Sequence, residues 1–299
     1  MKWLVVIGLV GLLLLNGCVN SPPTSSEKFS VAATFFPLYD ITKKIAGDKA
    51  DVFSVIPNGV EPHEYEATPL DIASFNQANV FVTLGIEFAP FENQLVQGKG
   101  TPITIISASQ GITLRSAPNG PGDEPTISGK DVHIWLSPKN MKVMVNNITT
   151  GLKQADATNA SVYAQNASGL LAQLDQLDAD YKNGLADCNK HIVLVNHNAF
   201  SYLAADYGFS TIFISGLSPE SEPSPQQVKA LVDAAKANDL KYVFYEELVD
   251  PRTVESIAQE IHGKALELSP LEGTRNANDD YFSVMHRNLM NLKLGLECS

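Results

Sequence analysis

The chain has 299 residues, 44% of them hydrophobic and 18% charged, and a formal net charge of −12. That length accommodates one large or two medium domains, and the acidic balance argues against a nucleic-acid partner. It favours a cation ligand only weakly, because many soluble proteins are acidic and a specific site depends on a few placed groups.

At the amino terminus Lys2 precedes an apolar run over 3–15 that is too short to span a bilayer comfortably, which reads as a signal peptide over 1–17. Leu15-Asn16-Gly17-Cys18 resembles the lipobox cut by lipoprotein signal peptidase, with Cys18 left as an acylated first residue; the alternative is an ordinary secretory signal and a coincidental cysteine. Cleavage removes Lys2 and no acid, so the mature charge is near −13. Residues 18–28 (VNSPPTSSEK after the cysteine) have the composition of a tether. No later run is long enough to cross a membrane, so a soluble body outside the cytoplasm, anchored by lipid, is expected.

Short β-rich apolar runs follow at 30–36, 52–57, 80–84 and 103–107, then at 192–196, 211–215, 242–246 and 265–269. Helical patterns such as 225–238 and 251–262 lie between them, and this alternation predicts parallel α/β units in two similar lobes. Between the sets, over 160–188, Leu170, Leu174, Leu177, Tyr181 and Leu185 recur at intervals of three and four. About 25 residues at 1.5 Å each reach roughly 40 Å, enough to run the height of both lobes. The expected division is an amino-terminal α/β lobe over 29–158, a spanning helix over 159–188 and a carboxyl-terminal α/β lobe over 189–299. Residues 116–129 (SAPNGPGDEPTISG) read as an exposed loop.

Three of the six histidines stand where a strand should end and a loop begin, the place where parallel α/β folds hold ligands. They are His63 in PNGVEPHEYEATP, His133 in DVHIWLSP and His197 in NHNAFSYLAADYGF; each alone is more often a structural group. Together with GLSPESEPSP, FYEELVDPR, LSPLEG and YFSVMHRNLMNL, in this order, these segments resemble the zinc and manganese class of ABC-transporter substrate-binding lipoproteins. The resemblance covers nearly the whole mature chain. It implies two α/β lobes joined by one long rigid helix, with the metal in the interlobe cleft, and metal ligands at His63 and His133 from the first lobe and His197 from the second. It implies Zn2+ as transported substrate and, as partners, an importer permease and its ATPase; the protein is expected to be a monomer.

A histidine at the third position marks the zinc-binding subgroup, where manganese-type members carry glutamate, and three imidazoles with one carboxylate suit tetrahedral zinc. The loop at 116–129 lacks the histidines that zinc-type relatives often carry there, a departure shared with the manganese type. For the fourth ligand, many relatives place an aspartate where this chain has Ser269, a poor zinc ligand. Glu272, in Ser269-Pro270-Leu271-Glu272, is the expected donor by resemblance to relatives that use a Pro-Leu-Glu glutamate; Glu61, Asp279, Asp280 and water are the competitors. With Cys18 assigned to lipid, Cys188 and Cys298 remain as a pair in an oxidising compartment, and a disulfide is expected, with two free thiols as the alternative. His191, His262 and His286 read as structural or surface groups. The rival functions are a manganese-type receptor, a surface adhesin with incidental metal, and a zinc enzyme; against the last, no HExxH or equivalent close pair occurs.

Overall fold

The computed structural model describes residues 28–63, 65–86, 88, 91–117, 129–216 and 223–299. The signal peptide, Cys18, the tether as far as residue 27, and 118–128 of the glycine- and proline-rich loop lie outside the described residues. Among the described residues no helix is long and apolar enough to cross a membrane.

Eight short strands form two sheets. The first contains β1 (Ser30–Ala33), β2 (Asp51–Ser54), β3 (Val80–Thr83) and β4 (Thr104–Ser107) in the order β2-β1-β3-β4. The second contains β5 (Ile192–His197), β6 (Ser210–Ser215), β7 (Tyr242–Tyr245) and β8 (Lys264–Glu267) in the order β6-β5-β7-β8. All six strand pairs are parallel, so the second sheet repeats the topology of the first. The strands form where the sequence is short, apolar and β-branched, as in β3, whose four residues are all buried. The run at 30–36 shortens to β1 because Phe36 and Pro37 open the helix α1 (Phe36–Ala46).

In the first lobe α2 (Pro69–Phe75) and α3 (Phe91–Gly98) follow β2 and β3, and α4 (Pro138–Ala155) precedes the long α5 (Ala160–Gly184). The second lobe adds α6 (Ser201–Tyr207), α7 (Pro225–Ala237), α8 (Arg252–Glu260) and α9 (Tyr281–Gly295). Tyr163, Ala167, Leu170, Leu174, Leu177 and Tyr181 form the buried stripe of α5, each large side chain contributing roughly 1.5–3 kcal/mol of burial. The helix ends four residues short of the expected Cys188. After Gly184 the chain turns to reach the bridge between Cys188 and Cys298, which are disulfide-bonded.

Near one end of α5 Asn166 donates to the Ile45 carbonyl of the first lobe at 3.0 Å; further along, Asp178 accepts from Tyr207 of the second at 2.8 Å. The lobes also meet directly. A single apolar cluster runs from Val31 through Trp135 and Phe200 to Leu296, and α9 returns to the first lobe, where the Tyr281 N–H donates to Asp40 at 3.0 Å and its hydroxyl to the Trp135 carbonyl at 2.9 Å.

Candidate metal centre

In a parallel sheet ordered 2-1-3-4, successive crossovers leave the first strand in opposite directions, and the crevice beyond the strand ends at that switch point is where ligands bind. His197 is the last residue of β5, and Glu246 follows β7, its neighbour across the switch point of the second sheet. The other two histidines stand in loops: His63 nine residues after the end of β2, and His133 immediately before a 3-10 turn at Ile134–Leu136. Each of these loops ends in a hydroxyl residue and proline that start a helix. Thr68 accepts from the Asp71 N–H at 3.3 Å ahead of Pro69, and Ser137 from the Asn140 N–H at 3.2 Å ahead of Pro138. The helix starts fix where the histidine loops end.

His63, His133, His197 and Glu272 converge, one ligand atom from each lying within 4.8 Å of all the others. Glu272 Oε1 is 3.1 Å from His63 Nε2, 3.2 Å from His133 Nε2 and 3.5 Å from His197 Nε2; the His133 and His197 Nε2 atoms are 3.2 Å apart. A tetrahedron of ligands about 2.0–2.1 Å from a zinc ion has edges of about 3.3–3.4 Å. These four edges, the remaining two being under 4.8 Å, and the donor chemistry suit one four-coordinate ion. All four side chains are nearly or fully enclosed, His63 being the most open at 12% exposure.

The opposite ring nitrogens are held by carboxylates. Asp131 Oδ1 lies 2.8 Å from His133 Nδ1 and 3.0 Å from its backbone N–H; Glu246 Oε1 lies 2.6 Å from His197 Nδ1 and 3.0 Å from its backbone N–H. Such contacts set each ring so that Nε2 presents its lone pair inward. Ser201 also donates to Asp131. Asp131 and Glu246 had no expected role. The Asp131-Val132-His133 spacing is a local signal for the first, whereas Glu246 is 49 residues from His197 and only the adjacency of β5 and β7 unites them.

Without an ion the four donors are pushed in different directions. Burial pushes the His63 imidazole below its ordinary value, with the Glu272 charge opposing. At His133 burial acts the same way but is outweighed by hydrogen bonding to Asp131 and Glu272, which holds the ring above its usual value. Burial is again outweighed at His197, which the Glu246 and Glu272 charges hold well above it. Burial alone would raise Glu272; the facing histidines keep it well below the usual carboxylate range. Asp131 likewise stays ionised, burial being outweighed by its bonds to His133 and Ser201.

The other candidates for the fourth ligand are engaged elsewhere. Both oxygens of Glu61 face the His63 backbone N–H at 3.0 and 3.1 Å. Asp279 pairs with Arg287 at 2.8 Å and accepts from Thr274, while Asp280 caps α9 and pairs with Lys44 at 3.2 Å. Ser269 donates to Glu247 and accepts from the Leu271 N–H at 3.0 Å. Glu272 reaches the histidines because the loop crosses close to the first lobe. A Cβ on Gly273 would stand 2.9 Å from Leu248 Cδ1 and 3.3 Å from the backbone nitrogen of Gly59, itself at φ +84.

These features define a two-lobed metal-binding protein with its site in the interlobe cleft. The family model described as zinc-uptake complex component A, periplasmic, matches residues 31–295, and the chain belongs to that family. The high-affinity zinc uptake system protein ZnuA of Bacillus subtilis strain 168 is 34% identical over 298 residues, covering 94% of this chain and 93% of the relative. The zinc-binding protein AdcA of Streptococcus pyogenes serotype M1 is 31% identical over 98% of this chain, which spans 61% of that relative's length. Among solved structures, the Zn(II)-bound ZnuA-like domain of Streptococcus pneumoniae AdcA superposes with a TM-score of 0.78 at 31% identity, over 90% of this chain and 99% of the other. A mutant of the laminin-binding adhesin Lmb of Streptococcus agalactiae superposes with a TM-score of 0.81 at 30% identity, with the same coverage.

Proposed function

We propose that the chain is the substrate-binding component of a metal ABC importer, which captures a zinc ion outside the cytoplasm and passes it to a membrane permease driven by its ATPase. The observation that carries this reading is the convergence of three imidazoles and Glu272 within 4.8 Å, with four donor–donor distances of 3.1–3.5 Å close to the edge of a zinc tetrahedron.

In this reading His63 and His133 bind from one lobe and His197 and Glu272 from the other. The ion bridges the lobes, so its binding energy is also energy that holds them together. Zinc is supported over manganese by the donor set: three nitrogens and one carboxylate suit four-coordinate zinc, whereas manganese favours more oxygen ligands. Glu272, Asp131 and Glu246 together offset the charge of a divalent ion in a buried setting. A carboxylate in the fourth position also leaves no open coordination place for a water nucleophile, which favours transport over catalysis. The proposal includes acylation at Cys18, a monomeric body, and a division into lobes over 29–158 and 189–299 around a connecting segment over 159–188.

The test is equilibrium of the soluble body with equal zinc and manganese, followed by metal analysis. One zinc per chain is expected, and manganese at comparable occupancy would overturn the substrate. Glu272→Ala is expected to weaken zinc about tenfold or more, on the order of 1.4 kcal/mol. Cys18→Ala is expected to release the protein from the membrane; a variant that stays bound would point to an uncleaved anchor.

A further inference from the structure

The loop between β8 and α9 carries Glu272, and much of what fixes it comes from the opposite lobe. Within its own lobe, Asn288 of α9 holds the start of the loop, the Ser269 hydroxyl accepts from the Leu271 N–H at 3.0 Å, and the Thr274 hydroxyl donates to Asp279 at 3.1 Å at its far end. The Ser269 N–H donates to Asn288 Oδ1 at 2.9 Å, and Asn288 Nδ2 donates to the Ser269 carbonyl at 2.7 Å. Beyond Ser269 two hydrogen bonds cross the cleft. Trp135 Nε1 donates to the Pro270 carbonyl at 2.7 Å, and the Thr274 N–H donates to Asn58 Oδ1 at 2.7 Å.

Glu272 lies midway between these two attachments, two residues from each. Between the first attachment and Glu272, Leu271 sits at φ +59, a conformation that a leucine leaves readily unless its surroundings enforce it. The attaching residues belong to the segments that bear the first-lobe histidines: Trp135 stands two residues after His133, with ring centroids 5.1 Å apart, and Asn58 five residues before His63. The first lobe thus presents two histidines and also grips the loop that presents the carboxylate.

We propose that Asn58 and Trp135 are positioning residues for Glu272. Neither belongs to the converging donor set; each fixes the carboxylate from across the cleft, so the fourth donor is in register only while the first lobe holds its loop. The inference rests on the zinc-capture reading and adds to it the cause of the four-coordinate geometry. Released from these bonds, the loop would leave three histidines and a loosely placed carboxylate, a site less selective for tetrahedral ions.

The experiment compares Asn58→Ala, Asn58→Asp, Trp135→Phe and Glu272→Ala, with the first and third each also combined with Glu272→Ala. Zinc affinity is read by chelator competition, coordination by the visible absorption of the cobalt(II) form, and folding by the Tm of the metal-free protein. Asn58 is exposed, so its replacement should leave that Tm nearly unchanged. Asn58→Ala is expected to weaken zinc about fivefold, the scale of one hydrogen bond, and to lower the intense tetrahedral cobalt bands. Asn58→Asp, which keeps the acceptor oxygen, should restore those bands. Trp135→Phe keeps a ring beside His133 without the donor and should act in the same direction. In the Glu272→Ala background Asn58→Ala and Trp135→Phe should cost nothing further, because they act through that carboxylate.

Full additivity of the losses would overturn the proposal, as would wild-type affinity and cobalt spectrum in both single variants. A Glu272→Ala protein with unchanged zinc affinity and cobalt spectrum would instead remove the ligand assignment itself, and the positioning role with it.

Discussion

His133 Nε2 and His197 Nε2 stand 3.2 Å apart, one from each lobe, while Asp131 and Glu246 hold the far nitrogens of the two rings. Two imidazolium N–H groups could not face each other at that distance. With the far nitrogens held by carboxylates, the two Nε2 atoms face one shared point beside Glu272, and a proton and a metal ion compete for that point.

Zinc uptake is therefore expected to expel protons. His133 and His197 are held above the ordinary imidazole value, whereas burial keeps His63 below it, so protons compete with zinc chiefly at the first two rings. Affinity should rise with pH through neutrality and fall steadily below it, because protons compete for the same lone pairs. Calorimetry in buffers of different ionisation enthalpy should report net proton release on zinc binding near neutral pH; a buffer-independent heat would contradict this.

The carboxylates behind the rings should matter nearly as much as the ligands. Glu246→Gln and Asp131→Asn keep shape but lose the charge that orients Nδ1, and each should weaken zinc by about 10- to 100-fold. Chelator competition measures this directly, and a change of less than threefold in both variants would mean that the rings are positioned by packing alone.

The eight strands and the long helix were legible in the sequence because burial is written there as short β-branched runs and a stripe of leucines. The helix α4 was not marked. Its sequence PKNMKVMVNNITTGLKQA carries three asparagines, two threonines, two valines and a glycine, all weak helix formers. Its formation follows from the face Met141, Met144, Val145, Ile148 and Leu152, buried against the rest of the lobe. Among the donors, the local pattern suggested strand-end histidines, and only family resemblance pointed to Glu272. Its reach across the cleft depends on contacts with Trp135 and Asn58, residues far from it in the chain. Glu246 was illegible for the same reason, since strand order rather than spacing brings it to His197.

The bridge between Cys188 and Cys298 closes 110 residues, for which the chain-entropy model gives a stabilisation on the order of 4–5 kcal/mol. It lies beyond the starting end of β5, opposite the end that carries His197. Cys188→Ser with Cys298→Ser should therefore lower the Tm markedly while leaving zinc affinity within about twofold. A large loss of affinity in folded double variant would show that the bridge tensions the cleft.

Glu247 is buried with Oε2 lacking a hydrogen-bond partner, and burial pushes its carboxyl up to about 7. A carboxyl that holds its proton more tightly when folded makes the metal-free protein lose stability as pH rises from about 4.5 to 7, the folded state binding more protons over that window. Glu247→Gln keeps an acceptor for Ser269 and removes this ionisation. It should be more stable than the parent at pH 7 by up to about 3 kcal/mol, with the gain vanishing near pH 4.5. Equal gains at both values would assign the effect to packing.

Zinc K-edge X-ray absorption of the loaded soluble body tests the central claim most directly, because it counts and identifies the ligands of the bound ion. Three imidazoles and one carboxylate oxygen at about 2.0–2.1 Å are predicted, with one imidazole lost in each of His63→Ala, His133→Ala and His197→Ala. A six-coordinate oxygen-rich shell, or an imidazole count untouched by those substitutions, would contradict the account.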